Sequence, residues 1–196
     1  MYKISDLEAA ILGLLYEHHH YAYRLEQIIK KRGMRNWADI GFSSIYYVLK
    51  RLEENKLVES QVKISKGKPS RKVYYITREG KLAMENKVKN ILSENRKQIS
   101  PFDLGMANIE ILGIDETINC LKLYLKSTEE RIEFLEKSID MHESIDSPFN
   151  VIALFTRPLT ILKAEKDWVD DFIQQISQKK MIVGNNNAKN RFKKRR

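Results

Sequence analysis

Two stretches of this chain concentrate side chains that can grip a polyanion. Lys66, Lys68, Arg71 and Lys72 crowd the segment SKGKPSRKVYYIT around one glycine and one proline, and upstream GFSSIYYVLKR carries Ser43, Ser44, Tyr46, Tyr47, Lys50 and Arg51. Cations neutralise phosphates, while hydroxyls and phenols reach phosphate oxygens and base edges. Bond-making chemistry is not written here: there is no glycine-rich phosphate loop, paired-cysteine motif, nucleophile elbow or His-Glu-x-x-His. His18, His19 and His20 are consecutive and cannot all face one metal from a helix, so a loop or helix-end role is expected. No enzyme activity, catalytic residue, cofactor or metal is expected. A run of charge is usually a solvated loop, so the elements around it must decide.

Ser5 and Glu8 have capping-box spacing, and Leu7, Ala10, Ile11, Leu14 and Leu15 follow at helical intervals, predicting a first helix. A second spans about Ala22 to Lys31 with Leu25, Ile28 and Ile29 on one face, stopped by Gly33. The third, Ser43 to Asn55, has a buried stripe at Ile45, Val48, Leu49 and Leu52. That stripe turns Ser43, Tyr47, Lys50 and Glu54 outward, with Ser44, Tyr46 and Arg51 on the flanks. Leu57 to Ile64 and Arg71 to Thr77 read as two strands joined by the Lys66 to Ser70 loop, and Thr77 caps a fourth helix from Arg78 to about Lys97. Three short helices, a two-stranded ribbon and a further helix are the order of a winged helix-turn-helix, with the cationic hairpin as wing. Trp37, just before the third helix, reads as a packing residue.

Charge divides along the chain in the same way. Residues 1–100 carry a net +9, residues 101–180 a net −6 and residues 181–196 a net +6. A basic front half raises the local concentration of a polyanion, and an acidic back half repels it. No apolar run approaches the roughly 18 residues that span a bilayer. The opening MYKISDLEAAILGLLYEHHH lacks a basic n-region and a small-residue cleavage site, so a cytoplasmic chain is expected, without a membrane partner. The single cysteine, Cys120, reads as a small apolar filler in a helix.

At SSIYYVLKRLEENKLVES and GKPSRKVYYITREGKLAM the chain resembles the PadR family of bacterial transcriptional regulators. The resemblance covers about the first 85 residues. It rests on Tyr46, Leu49, Leu52 and Glu53, on the following Leu57 and Val58, and on the run from Arg71 through Tyr74, Ile76 and Thr77 to Gly80. It implies a dimeric winged-helix regulator, usually a repressor, with the third helix in the major groove and the wing on the flanking backbone of double-stranded DNA. Carried over by position, Ser44 and Tyr46 lie at the DNA, Lys50 beside them and Arg71 at the wing. Ala22 stands where the family usually has Gly, and Tyr47 where it often has Pro.

From Asp115 the pattern lengthens. Ile118, Leu121, Leu125, Thr128, Ile132, Leu135, Ile139 and His142 step by alternating threes and fours, a heptad seam of about three and a half repeats. Phe155, Leu162, Val169 and Ile176 are seven apart, with Leu159, Phe172 and Ile173 widening the stripe. The short loop Glu143 to Pro148 makes the two helices an antiparallel pair. Two such pairs, one from each chain, are expected to form an intersubunit bundle. Pro158 either starts or kinks the last helix. Tyr124, Trp168 and Phe172 are the candidate lining of a small-molecule effector pocket in that bundle, although aromatic residues at this spacing are more often core.

The expectation is therefore a mainly α protein: a winged helix-turn-helix domain over 1–98, a long-helix dimerisation domain over 99–180 and a basic tail without regular structure over 181–196. It would act as a homodimer on an inverted-repeat operator. The rival is a winged-helix interaction module in which Tyr23, Tyr46 and Tyr47 bind a protein and the cations only solubilise. A catalyst in the bundle pocket has no convergent polar constellation behind it.

Overall fold

A serine starts the first helix of the computed structural model, which describes residues 2–36, 45–65, 68–95 and 99–193, with the backbone alone for 65, 68, 69 and 179–193. The Ser5 hydroxyl accepts from the Glu8 amide at 3.2 Å and the Glu8 carboxylate accepts from the Ser5 amide at 2.7 Å, the reciprocal cap that opens α1 (Asp6–Glu17). The chain divides into two units, Met1–Lys97 and Gln98–Arg196.

In the N-terminal unit, α1 sets Ile11, Leu12, Leu14 and Leu15 into a core shared with Leu25 and Ile29 of α2 (Ala22–Lys31) and with the expected stripe Ile45, Val48, Leu49 and Leu52 of α3 (Ile45–Glu54). Past α2, Gly33 takes φ 57°, where a residue without Cβ is unstrained. α3 closes differently. The Leu57 amide donates to the Leu52 carbonyl at 2.9 Å and the Lys56 amide to the Glu53 carbonyl at 3.0 Å, with Lys56 itself left-handed at φ 59°. This is a Schellman turn with lysine at the position that favours glycine.

The ribbon has three strands, in the order β1-β3-β2, where the sequence pointed to two. β2 (Val58–Ser65) and β3 (Lys68–Ile76) pair antiparallel from Val58 opposite Ile76 to Ser65 opposite Lys68. The extra strand, β1 (His20–Tyr21), is two residues long and lays His20 opposite Tyr74 and Tyr21 opposite Val73. At the base of the ribbon Thr77 turns the chain into α4 (Arg78–Ser93). Its hydroxyl accepts from the Gly80 amide at 3.0 Å and donates to the Lys56 carbonyl at 2.8 Å. The first turn of α4 is thereby pressed onto the start of β2, so that a Cβ on Gly80 would lie 2.1 Å from the Leu57 carbonyl oxygen. Only glycine fits there.

The C-terminal unit opens with α5 (Pro101–Ala107), capped by the Ser100 hydroxyl, in the segment read from sequence as a junction. A 3-10 turn at Ile109–Ile111 leads into α6 (Ile114–Ser144), and α7 (Phe149–Lys193) returns along it. Tyr124 meets Glu165, Lys166 meets Glu129, Lys163 meets Glu136 and His142 meets Phe155, so the pair is antiparallel. Pro158 lies inside α7. The helical backbone continues through 181–193, where the sequence reading expected no regular structure.

The pairing uses the heptad seam within one chain. Leu121, Leu125, Leu135 and Val169 are buried, and Ile118, Ile132, Ile139, Phe155, Leu162, Phe172 and Ile176 are partly buried. Within the chain α6 and α7 cover much of this seam for each other. The apolar surface left bare is another one: Leu123, Phe134 and Met141 on α6, and Leu154, Ile161 and Trp168 on α7, the last three seven residues apart.

Candidate nucleic-acid interface

The buried stripe of α3 leaves the rest of that helix facing out. Tyr46 is 63% exposed, Tyr47 59%, and the Lys50 side chain 75%, with Glu54 one turn on at 3.8 Å. An ion pair that long and that wet adds little, so Lys50 can exchange Glu54 for an anion. Ser43 and Ser44 lie outside the described residues, as do Trp37 and Lys66, and the Lys68 side chain is not described.

Arg51, expected beside Lys50 at DNA, keeps a side chain 41% exposed but has partners within the protein. Its guanidinium sits 3.1 Å from the Glu8 carboxylate and donates to the Tyr2 hydroxyl at 2.6 Å, while Tyr2 donates to the same carboxylate at 2.7 Å. Glu8 is 1% exposed. Burial pushes its carboxyl up, but the Ser5 amide, the Tyr2 and Ser5 contacts and the Arg51 charge outweigh that and hold it below the ordinary range. Tyr2 is pushed up, mostly by burial. This triad bolts α3 to α1 and so sets the angle at which Tyr46, Tyr47 and Lys50 are presented.

Lys72 is also engaged within the protein. It donates to Glu53 at 2.7 Å, Glu53 also accepts from the Ser60 hydroxyl, and the ammonium lies 5.4 Å from the Tyr74 ring. Burial raises the Glu53 carboxyl, and the Lys72 and Ser60 hydrogen bonds bring it below its usual value. The wing is tied to α3 by this contact.

Arg71 stays exposed on the wing. Its guanidinium lies 5.9 Å from the Tyr21 ring and 5.5 Å from the Tyr23 ring, and donates to the Tyr23 hydroxyl at 3.3 Å. Aromatic faces hold a guanidinium in place without neutralising it. Directly across the ladder from Arg71 is Lys63, a cation that sequence reading passed over. Two cations opposite one another repel, and an anion between them removes the repulsion. Strand register, which the sequence does not state, brings them together.

In the C-terminal unit, Tyr124 lines a cavity while Trp168 and Phe172 stack on each other at 5.3 Å outside its lining. The expected pocket trio is thus not one wall. The Tyr124 hydroxyl donates to Glu165 at 2.7 Å, and burial, with Glu165 beside it, pushes that phenol up to about 12. Among the described residues no group of three His, Cys, Asp or Glu could hold a metal ion, and no helix is long and apolar enough to cross a membrane.

Residues 11–86 match the family described as transcriptional regulator PadR-like. The chain is similar to Bacillus subtilis PadR in complex with operator DNA, at 21% identity and TM-score 0.71 over 88% of this chain and 99% of that one. The same Bacillus protein in complex with p-coumaric acid matches at 20% identity and TM-score 0.69, covering 88% and 99%. The Vibrio cholerae virulence activator AphA matches at 13% identity and TM-score 0.63, covering 88% and 98%. At these identities the likeness is one of fold. No curated protein matches the chain.

Proposed function

We propose that the protein, whose residues 11–86 match the PadR-like family of transcriptional regulators, is a homodimeric, sequence-specific DNA-binding repressor, acting in the cytoplasm on an inverted-repeat operator. The observation that carries this reading is the outward face of α3. Tyr46, Tyr47 and Lys50 stand exposed while their neighbours Arg51 and Lys72 are drawn into contacts that hold the helix and wing. A helix so presented fits a major groove, with Tyr47 and Lys50 toward base edges, and Ser43, Ser44 and Tyr46 toward the backbone. Lys63, Lys66, Lys68 and Arg71 form the phosphate clamp of the wing. Arg51 and Lys72 position the readers. That the similarly folded Bacillus protein occurs in complex with operator DNA supports DNA as the partner.

Dimerisation falls to the C-terminal unit, through the stripe Leu154, Ile161 and Trp168 that α6 leaves uncovered. Such a stripe is unfavourable in water, and a second copy presents the same stripe in return. A small-molecule effector bound in this unit would couple through the dimer to the spacing of the reading helices.

Selection of bound duplexes from a random pool tests the reading. Enrichment of an inverted repeat is the expected result, with log K falling against log salt at a slope of roughly −5 to −9 for about 6 to 10 neutralised phosphates. A promoter overlapping the selected site should lose transcription when the protein is added. A pool that stays random would move the exposed tyrosines to the rival role of a protein-binding surface.

A further inference from the structure

Several cations of the N-terminal unit are held by carboxylates: Arg32 by Glu17, Arg51 by Glu8, Lys72 by Glu53 and Lys87 by Asp6. Arg71 is held by two aromatic rings instead. Among the described residues no ion pair engages it, and its guanidinium lies 5.9 Å from the Tyr21 ring and 5.5 Å from the Tyr23 ring. The two rings are nearly parallel, 17° apart with centroids separated by 5.9 Å, and the Tyr23 hydroxyl accepts from Arg71 at 3.3 Å.

Neither packing nor capping accounts for the two tyrosines. Their rings are not part of the apolar core, and Tyr23 is 45% exposed. Helices α1, α4 and α5 each open on a serine or threonine hydroxyl that accepts from a backbone amide of the first turn, whereas α2 opens on Tyr21, whose side chain caps nothing. A tyrosine there forgoes the stabilisation that a short hydroxyl side chain would give. What Tyr21 does instead follows from β1. Pairing Tyr21 with Val73 sets the Tyr21 ring on the sheet face that carries Val73, and Arg71, two residues earlier on β3, shares that face. Lys63 lies directly opposite Arg71, so an unheld arginine would swing away from its like-charged neighbour and would lose rotamer freedom on meeting a phosphate. The rings remove that freedom beforehand. They leave the charge whole, because they offer only ring quadrupoles and a hydroxyl lone pair.

We propose that Tyr21 and Tyr23 form an aromatic shelf that positions Arg71 for a DNA phosphate, and that the two-residue strand β1 serves to place Tyr21 in it. Both tyrosines are positioning residues, acting on DNA through Arg71. The identity of the polyanion rests on the operator reading above. Tyr23 thereby gains a role within the wing, in place of the protein-binding role that the rival reading gives it.

Anisotropy titrations of the full chain with a mixed-sequence duplex, over a range of salt, test the shelf through a double-mutant cycle. Tyr23→Leu removes a ring and keeps every charge. It should weaken binding about threefold to fivefold for each chain, the size of one exposed cation–ring contact, with the slope of log K against log salt unchanged. Arg71→Ala should weaken binding and reduce the magnitude of that slope by about 1 for each chain; in its background Tyr23→Leu should cause no further loss. Tyr23→Phe keeps the ring and should bind as the parent does. Tyr21→Ser supplies a capping hydroxyl to α2, so helix content should hold while affinity falls as in Tyr23→Leu. Losses that add in the double variant would overturn the proposal, and so would a Tyr23→Phe as weak as Tyr23→Leu, which would make the hydroxyl a direct phosphate contact. Without DNA, nuclear magnetic resonance should find upfield ring-current shifts on the Arg71 side-chain protons, reduced by Tyr23→Leu and retained by Tyr23→Phe. A parent that shows those shifts yet binds neither a selected nor a mixed duplex would defeat the operator reading and leave the shelf no phosphate to serve. Tyr21→Ser and Tyr23→Leu variants that bind duplex as tightly as the parent would defeat the shelf alone.

Discussion

The two units of this chain solve the same burial problem to different degrees. In the N-terminal unit, four helices and a ribbon enclose a core from Ile4 to Ala83, and Glu8, the one deeply buried carboxylate among the described residues, is ringed by partners. In the C-terminal unit two long helices cover each other along one seam, and Leu123, Phe134, Leu154, Ile161 and Trp168 remain in solvent. A core that closes within one chain can serve as a rigid mount for side chains that read something else. A helix pair that does not close has surface left for a partner or a ligand. The difference fits the proposed division of labour, with presentation in the first unit and assembly in the second.

The comparison breaks most sharply at Gly80. Gly80→Ala forces a Cβ into the Leu57 carbonyl, and overpacking against backbone should cost about 3 kcal/mol, read as a drop in the denaturant midpoint of the N-terminal unit. Next comes the open surface of the other unit. Ile161→Asp should convert the dimer to monomer in sedimentation at micromolar concentration while helix content is retained; a dimer that persists would place the interface elsewhere.

Arg51 and Lys50, adjacent on α3, separate mounting from reading. Glu8 has a folded value below its unfolded one, so its contribution is present above the ordinary carboxylate range and lost as pH falls through the folded value. Arg51→Ala removes one of the influences that lower it, so acid unfolding should begin at higher pH than in the parent. Lys50→Ala should leave the acid limb unmoved. The smallest effect is expected at the α3 turn, where Lys56→Gly relieves a left-handed lysine and should add about 1 kcal/mol by chemical denaturation.

Much of the first unit was legible because its signals are local. Ser5 and Glu8 spell a cap, Ile45 to Leu52 a buried stripe, and the β-branched and aromatic run at 73–76 a strand. What escaped depends on distance or on absence. A two-residue strand such as β1 has too few residues for any periodicity. The Glu8–Arg51 bolt joins residues far apart in the chain, so Arg51 reads as a surface cation until the helices are packed. Lys63 joins the exposed cations of the wing only once register sets it across from Arg71. The antiparallel pairing of α6 with α7, by contrast, was legible from the two heptad stripes and the short loop between them.

The central claim is that α3 reads DNA through a face fixed by its ties to α1 and the wing. The direct measurement is a binding-site profile of the parent and of Lys50→Ala at the same salt. The account predicts an inverted repeat for the parent. For the variant it predicts relaxed preference at one base pair in each half-site, mirrored about the centre, at a cost of roughly 1 to 3 kcal/mol on the parent's preferred sequence. Identical profiles for the two proteins would contradict it.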